Sequence, residues 1–122
     1  MIKGIGIDII EIDRIRQAII KNNKFIDRIF TVNEKKTFEG RNHSPQTIAG
    51  YFAAKEAVSK ALGTGMKNIQ WRDIEILNDS LGKPCVRLYN NAEDLAYSMN
   101  IDKILVSISH SRENAIALAM AI

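Results

Sequence analysis

The sequence predicts an α+β fold in which an antiparallel-rich sheet packs against one long helix. Short segments near both ends of the chain, and around residues 73–89, alternate apolar and polar residues as strands do. Residues 46–62 instead place apolar residues at helical spacing among Ala, Lys and Glu, which favour helices. The 122 residues have room for one core, and no linker or internal repeat divides them. We therefore expect a single domain over residues 1–122.

The composition is typical of a soluble globular protein, with 46% hydrophobic and 25% charged residues. The net charge of +3 hints at an acidic partner. A lone cysteine, Cys85, cannot form an internal disulfide, and its strand pattern predicts that it packs in the protein. We recognise no signal peptide, transit peptide or membrane-length apolar stretch. The default expectation is a cytoplasmic protein with no membrane association.

The first strand, at about residues 2–10, carries an acid among isoleucines. Alternation places Ile5, Ile7 and Ile9 on one face, and Gly4, Gly6, Asp8 and Ile10 on the other. An ionised carboxylate in such surroundings needs a cation or hydrogen-bond donors. The two glycines leave room for something to approach closely. Asp8 either ends the strand and caps the next helix or holds a ligand, and this segment alone leaves both open.

A basic amphipathic helix is predicted from about Asp13. Its basic residues near one face are Arg14, Lys21, Lys24 and Arg28, and its apolar stripe is Ile12, Ile15, Ile19, Ile26 and Ile29. The basic face is either a solvated surface or a docking surface for an acidic protein or for phosphates.

The remaining elements follow in order. Thr31 and Glu34 have the spacing of a capping box that opens a second short helix. A loop at 40–45 precedes the long helix at 46–62. Strands at 73–78 and 84–89 flank a turn in which Gly82 supplies a positive φ. A helix at 91–99 and strands at 103–109 and 115–121 complete an order of β, three helices, ββ, α, ββ.

The long helix carries Glu56 and Lys60 at the spacing of an exposed ion pair. Taken with Asp8, Glu56 also completes the pair of oxygen donors that Mg²⁺ uses beside waters and substrate phosphates. Lys60 would reach the same phosphates. The helix stops at Gly63-Thr64-Gly65, which is either a C-cap or a turn whose backbone amides cradle a phosphate.

The segment VSISHS at 106–111 places a histidine at the end of a strand. Val106, Ile108 and His110 share one face, and Ser107, Ser109 and Ser111 the other. His110 is a surface residue, or it makes a polar contact to a ligand, or it carries a proton. A serine hydrolase is not supported because no G-x-S-x-G elbow is present, and His43, Cys85 and His110 lack zinc-ligand spacing.

Five segments together resemble a known family, the small trimeric bacterial holo-acyl-carrier-protein synthases of the 4′-phosphopantetheinyl transferase superfamily. The matching segments are GIGIDIIEIDRI, RIFTVNE, FAAKEAVSKALGTG, WRDIEILNDSLGKP and VSISHS, in this order along the chain. The resemblance implies the fold of that superfamily. It also implies Mg²⁺-dependent transfer of the phosphopantetheine arm of coenzyme A to a serine of apo acyl carrier protein, in fatty acid biosynthesis, with release of adenosine 3′,5′-bisphosphate.

The resemblance also implies roles for individual residues. Asp8 and Glu56 would bind the metal, and Glu56, directly or through a water, would accept the proton of the carrier serine. Lys60 would stabilise the departing bisphosphate. Coenzyme A would contact Ser109, His110 and the Gly63-Thr64-Gly65 turn. The basic set Arg14, Lys21, Lys24 and Arg28 would dock the acidic recognition helix of the carrier.

Relatives of this kind build each active site between neighbouring protomers, which implies a homotrimer with shared sites. One position departs from the family: Tyr51 stands where an arginine is common, so Lys55, Arg41 or another basic residue would have to contact the coenzyme phosphate. Two other functions remain open. One is a Mg²⁺-dependent nucleotide phosphohydrolase. The other is a small basic anion-binding module, although the aromatic pattern of nucleic-acid binders is missing, so no nucleic-acid partner is expected.

Overall fold

A computed structural model describes all residues, 1–122, and contains five strands and five helices. The strands are β1 (Gly4–Glu11), β2 (Ile74–Asn78), β3 (Pro84–Leu88), β4 (Ile104–His110) and β5 (Asn114–Ala121). The helices are α1 (Ile12–Lys21), α2 (Phe25–Ile29), α3 (Val32–Gly40), α4 (Pro45–Ala61) and α5 (Asn90–Ser98), with a 3₁₀ turn at Trp71–Asp73.

The strands form two antiparallel sheets. β5 lies between β1 and β4 in a three-stranded sheet, and β2 and β3 form a separate hairpin. One face of the three-stranded sheet packs against α4, and its central strand contributes only alanines to that contact: Ala115, Ala117, Ala119 and Ala121, all at most 1% exposed. The predicted α+β class, with an antiparallel sheet against a long helix, is confirmed.

The prediction of one continuous basic helix from Asp13 is wrong. α1 ends at Lys21, and α2 starts only at Phe25. The Asn22 side chain accepts a hydrogen bond from the Lys24 amide at 2.9 Å. Such a bond offers the backbone an alternative to the helical pattern. Three helices therefore precede α4, where the sequence predicted two.

Local signals of helix and turn are confirmed. Thr31 accepts from the Glu34 amide, and the Glu34 side chain accepts from the Thr31 amide. Ser44 caps α4 by accepting from the Thr47 amide, with Pro45 at the first helical position. Gly82 has a φ of +84° in the hairpin turn.

The opposite face of the three-stranded sheet is apolar and open. Antiparallel sheets usually turn polar residues toward solvent. Here the outward rows, read across β1, β5 and β4, are Ile5, Met120, Leu105; then Ile7, Leu118, Ser107; then Ile9, Ile116, Ser109. The three β1 isoleucines of these rows are 56–63% exposed. An apolar patch of this kind marks a surface for association.

Cys85 is exposed on β3, so the prediction that it packs in the protein is wrong. The helices are too short or too polar for any of them to span a membrane.

Candidate active site

β1 and α4 meet at backbone contact, and two glycines make this possible. A Cβ placed on Gly6 would overlap the carbonyl oxygen of Ala57, and one on Gly4 would overlap that of Ala61. The element for which these glycines leave room is therefore α4 itself. Since Asp8 follows on the same face of β1, the contact carries its carboxylate to the surface of α4.

Asp8 has a partner within the protein. Its Oδ1 is 3.2 Å from Nζ of Lys60, which also donates to the Ile7 carbonyl at 3.0 Å. The Asp8 side chain is 17% exposed and that of Lys60 49%. β1 runs on to Glu11, which is the N-cap residue of α1, so the reading of Asp8 as a strand end and helix cap is wrong.

Glu56 is the second acid of the site. Burial raises the pKa of its carboxyl group, the charge of Asp8 raises it further, and Lys60 opposes both. The charges of Asp8 and Glu56 therefore act on each other across the β1–α4 contact. The predicted ion pair between Glu56 and Lys60 does not form, because Lys60 turns to Asp8 across the β1–α4 contact.

The donor set decides which metal the site suits. No cluster of three or more His, Cys, Asp or Glu side chains occurs on the chain, so the site offers two carboxylates. Mg²⁺ binds through one or two carboxylates and keeps waters and substrate phosphates as its other ligands. Structural zinc requires four protein ligands and catalytic zinc three. Asp8 and Glu56 therefore fit Mg²⁺ and do not fit zinc.

The turn after α4 is a helix C-cap. Gly63 and Gly65 have φ of +87° and +58°. Their amides donate to the carbonyls of Lys60, at 2.9 Å, and Ser59, at 3.1 Å. The predicted cradle relied on free amides at these glycines, and the structure contradicts that feature. The Thr64 hydroxyl donates to the Gly65 carbonyl, and both Gly63 and Thr64 are exposed.

His110 lies at the far edge of the sheet from Asp8. In the strand register, Asp8 pairs with Ala117, which pairs with Ile108. Two strand spacings, about 10 Å, therefore separate β1 from β4. Ser109 belongs to the outward apolar face, whereas His110 turns the opposite way, as the alternation predicted. The structure does not bring either residue to the Asp8 site within one protomer.

His110 instead lines a separate small cavity of about 190 Å³, between the start of α4, β4 and the hairpin. Tyr51 also lines it, and is buried with its hydroxyl 2.6 Å from Asn78 Nδ2. Burial raises the pKa of that phenol. Arg41, which is exposed, contributes a positive charge to the same cavity.

Lys55 cannot replace the missing arginine, contrary to one of the expectations above. Its side chain is fully buried and paired with Glu34 at 2.8 Å. The sequence analysis counted Lys55 among the basic residues that could contact the coenzyme phosphate, and lysine is seldom buried. Glu34 could have indicated that Lys55 is buried. It lies on the apolar side of α3, where an acid needs a basic partner.

Comparison with known proteins identifies this arrangement. Residues 4–119 match the 4′-phosphopantetheinyl transferase superfamily, acyl-carrier-protein synthase type. The chain belongs to this superfamily. A holo-[acyl-carrier-protein] synthase of Alkaliphilus oremlandii is 68% identical over 122 residues, which is all of both chains. The likeness assigns the chain to the holo-[acyl-carrier-protein] synthases within that superfamily.

Solved structures of such synthases have the same fold. The enzyme of Neisseria meningitidis is 33% identical, with a TM-score of 0.92 over 100% of this chain and 99% of its own. That of Helicobacter pylori, in complex with coenzyme A, is 33% identical, with a TM-score of 0.85 over 97% of this chain and 99% of its own. The fold implied by the sequence resemblance is thereby confirmed.

Proposed function

We propose that this phosphopantetheinyl transferase moves the 4′-phosphopantetheine group of coenzyme A to a serine of apo acyl carrier protein and releases adenosine 3′,5′-bisphosphate. One observation carries the proposal: Asp8 pairs with Lys60 where β1 touches α4, and both charges act on Glu56, one helical turn before Lys60, in a chain that is related along its whole length to synthases of this activity. Breaking a phosphoanhydride requires positive charge beside the phosphates and a base for the nucleophile.

Asp8 and Glu56 would hold Mg²⁺. Burial and the charge of Asp8 both raise the pKa of Glu56, and a cation bound by the two carboxylates would offset both effects. When bound, Mg²⁺ supplies charge neutralisation at the pyrophosphate and orients it for in-line attack. Lys60 alone cannot neutralise two carboxylates and an incoming pyrophosphate.

Glu56 accepts the proton of the carrier serine. A general base works best when its pKa lies near the operating pH, and burial moves the Glu56 pKa upward, in that direction. Asp8 is instead engaged in an ion pair with Lys60 at 3.2 Å. The two acids of the site therefore have different roles.

Lys60 stabilises the leaving bisphosphate. Its ammonium is half exposed, so it can turn from Asp8 toward a bound phosphate. It remains anchored near the site by the Ile7 carbonyl. A mobile point charge suits a group that gains negative charge as it departs.

The coenzyme is bound by Ser109, His110 and the turn of Gly63, Thr64 and Gly65. The turn contacts the coenzyme through side chains and carbonyl oxygens, because the amides of its two glycines already donate to carbonyls of α4. Arg41, in the cavity of His110, is the basic residue placed to contact a coenzyme phosphate where Tyr51 has none to offer.

Each site is shared by two protomers of a homotrimer. Two observations support this assembly. Asp8 and His110 lie on opposite edges of one sheet, so they meet only if a second protomer brings its β4 to the first. The outward face of that sheet is a continuous apolar surface that association would bury.

The acidic carrier docks on the basic residues that follow β1. Arg14 and Lys21 lie on α1, Lys24 precedes α2, and Arg28 lies in its last turn; all four are exposed. Docking of this type mainly raises the association rate. With such partners, the enzyme acts in the cytoplasm, in fatty acid biosynthesis.

The proposal is tested by mass spectrometry of the carrier. Incubation of apo acyl carrier protein with the enzyme, coenzyme A and Mg²⁺ is expected to add one phosphopantetheine group to the carrier, and addition of a chelator is expected to prevent it. Asp8→Asn keeps the shape and removes the charge, so we expect at least about a 100-fold lower rate with the fold intact. Consumption of coenzyme A beside an unmodified carrier would instead indicate a phosphohydrolase, and full activity of the variant would refute the role of Asp8.

A further inference from the structure

Lys55 lies in the middle of α4, and its side chain is fully buried. Its Nζ is 2.8 Å from Glu34 Oε1. It also donates to the carbonyl oxygens of Trp71, at 3.0 Å, and of Ile74. An ammonium has three hydrogens, and these acceptors use all of them. The side chain is thereby held in direction as well as in position.

Glu34 is buried to the same extent, and both of its oxygens are engaged. Oε1 accepts from the Thr31 amide at 2.8 Å, and Oε2 accepts from the Ile76 amide at 2.8 Å. The pair therefore ties three elements together: the start of α3, the middle of α4 and strand β2.

Stability alone does not account for this pair. Burial raises the pKa of the Glu34 carboxyl and lowers that of the Lys55 ammonium, so dehydration opposes both charges. Buried ion pairs can often be replaced by apolar residues without loss of stability. What an apolar pair cannot reproduce is the direction imposed by the hydrogen bonds.

The direction matters because Glu56 is the next residue of the helix. Successive helical residues point about 100° apart, and Lys60 lies one turn after Glu56 on the same side. The glycines of β1 fix how closely α4 approaches, and the buried ion pair adds hydrogen bonds that restrict the rotation of the helix about its own axis. A rotation of about 20° would move a group at the rim of the helix by about 2 Å. Displacements of about 1 Å can cost 100-fold in rate.

We propose that Lys55, held by Glu34, is a positioning residue that fixes the rotation of α4 and thereby presents Glu56 and Lys60 to Asp8. The inference rests on the proposed function, because it assigns the pair to the geometry of that metal site. Lys55 itself is enclosed by protein and does not touch the substrates.

The test uses the double variant Glu34→Leu/Lys55→Met, which replaces the pair with apolar side chains. Ile104→Val, in the core at the other end of the sheet from Asp8, is the matched control for destabilisation. Two sets of values are measured on protein shown to be folded by circular dichroism. They are kcat and KM for coenzyme A and the carrier, and the affinity for Mn²⁺ alone by electron paramagnetic resonance.

We expect the double variant to lose at least tenfold in kcat, with both KM values within about threefold of wild type, and to bind Mn²⁺ at least fivefold more weakly. The Ile104→Val control should keep the wild-type kcat, KM values and Mn²⁺ affinity. A folded double variant with wild-type kcat and Mn²⁺ affinity would overturn the inference. If it does not fold, Lys55→Met is measured in its place, since Glu34 can then take up a proton, and the same criteria decide.

The proposed function and this inference fail differently. A wild-type protein that binds Mn²⁺ but does not modify the carrier refutes the proposed function, and the Mn²⁺ comparison between the variants still decides the positioning role. A wild-type protein that binds no Mn²⁺ refutes the positioning role together with the metal site.

Discussion

The two faces of the three-stranded sheet differ in the size of their side chains. On β1 and β5, the face toward α4 consists of glycines and alanines together with Asp8 and Ile10, whereas the face toward solvent carries isoleucines, a leucine and a methionine. Most sheets place their large apolar residues inside. The inner face of these strands permits the close approach that brings Asp8 to α4, and the outer face is the surface that we propose to bind neighbouring protomers. Every strand contributes to both faces, and β1 carries both Asp8 and the most exposed isoleucines of the sheet.

The largest effect is expected from filling the inner face. Gly6→Val places a branched side chain where a single Cβ already overlaps the Ala57 carbonyl. We expect a loss of more than about 4 kcal/mol in the free energy of unfolding, with no folded protein at 37 °C. The measurement is thermal unfolding by circular dichroism. Gly40→Ala is the control, because nothing lies within 4 Å of a Cβ there, and it should unfold like wild type.

Placing a charge on the outer face should disrupt association but not the protomer. Ile7 is 56% exposed, so Ile7→Asp should change protomer stability by about 1 kcal/mol or less. We expect sedimentation equilibrium to shift from trimer to monomer, and transferase activity to fall with the assembled fraction. Val32→Asp adds the same charge at an exposed position of α3 and should remain trimeric. A trimeric Ile7→Asp variant would contradict the role of this face.

Neutralising Glu56, the acid of α4 that faces the inner side of the sheet near Asp8, should separate activity from stability. Glu56→Gln removes the base, so kcat should fall about 10²- to 10⁴-fold. The folded-state pKa of Glu56 lies above its ordinary value of 4.5, so the ionised group opposes folding above the folded-state pKa and ceases to do so below 4.5. Without metal, the variant should therefore melt at a higher temperature than wild type at pH 7 and at the same temperature near pH 4.

Added Mg²⁺ tests whether Glu56 belongs to the metal site. Mg²⁺ should raise the melting temperature of wild type more than that of Glu56→Gln, because a ligand stabilises the state that binds it. An equal rise in both proteins would remove Glu56 from the metal site.

The smallest effect is expected at the docking surface, which neither face of the sheet provides. Arg14→Gln should raise KM for the carrier about 3- to 10-fold, with kcat unchanged, and the difference should shrink as salt is added. Steady-state kinetics at low and high ionic strength measure it. Arg87→Gln removes the same charge from β3 and should leave KM for the carrier as it is.

Much of this organisation is readable from the sequence, where the signals are local. Alternation correctly separated Ile7 from Asp8, the capping box of Thr31 and Glu34 started α3, and Gly82 marked the hairpin turn. The helix break at Asn22 was missed because the apolar stripe continues through it. The side chain of Asn22, and not the period of the apolar residues, marks the end of α1.

The sequence assigned Asp8, Glu56 and Lys60 to one site, but which side chains pair across distant segments was not readable. Glu56 and Lys60 have the spacing of an ion pair, yet Lys60 bonds Asp8, which lies 52 residues earlier. The buried pair of Lys55 and Glu34 likewise joins two helices. Periodicity states which way a side chain points along its own element, and it does not state which element is packed there.

Mixing two inactive variants tests most directly whether the two faces cooperate in shared sites. Asp8→Ala removes the inner-face acid, and His110→Ala removes the residue at the opposite edge of the sheet. If each site takes Asp8 from one protomer and His110 from the next, hybrid trimers that are reassembled from equal amounts should recover about one quarter of wild-type activity. Mixtures that exchange subunits and remain inactive would contradict the account.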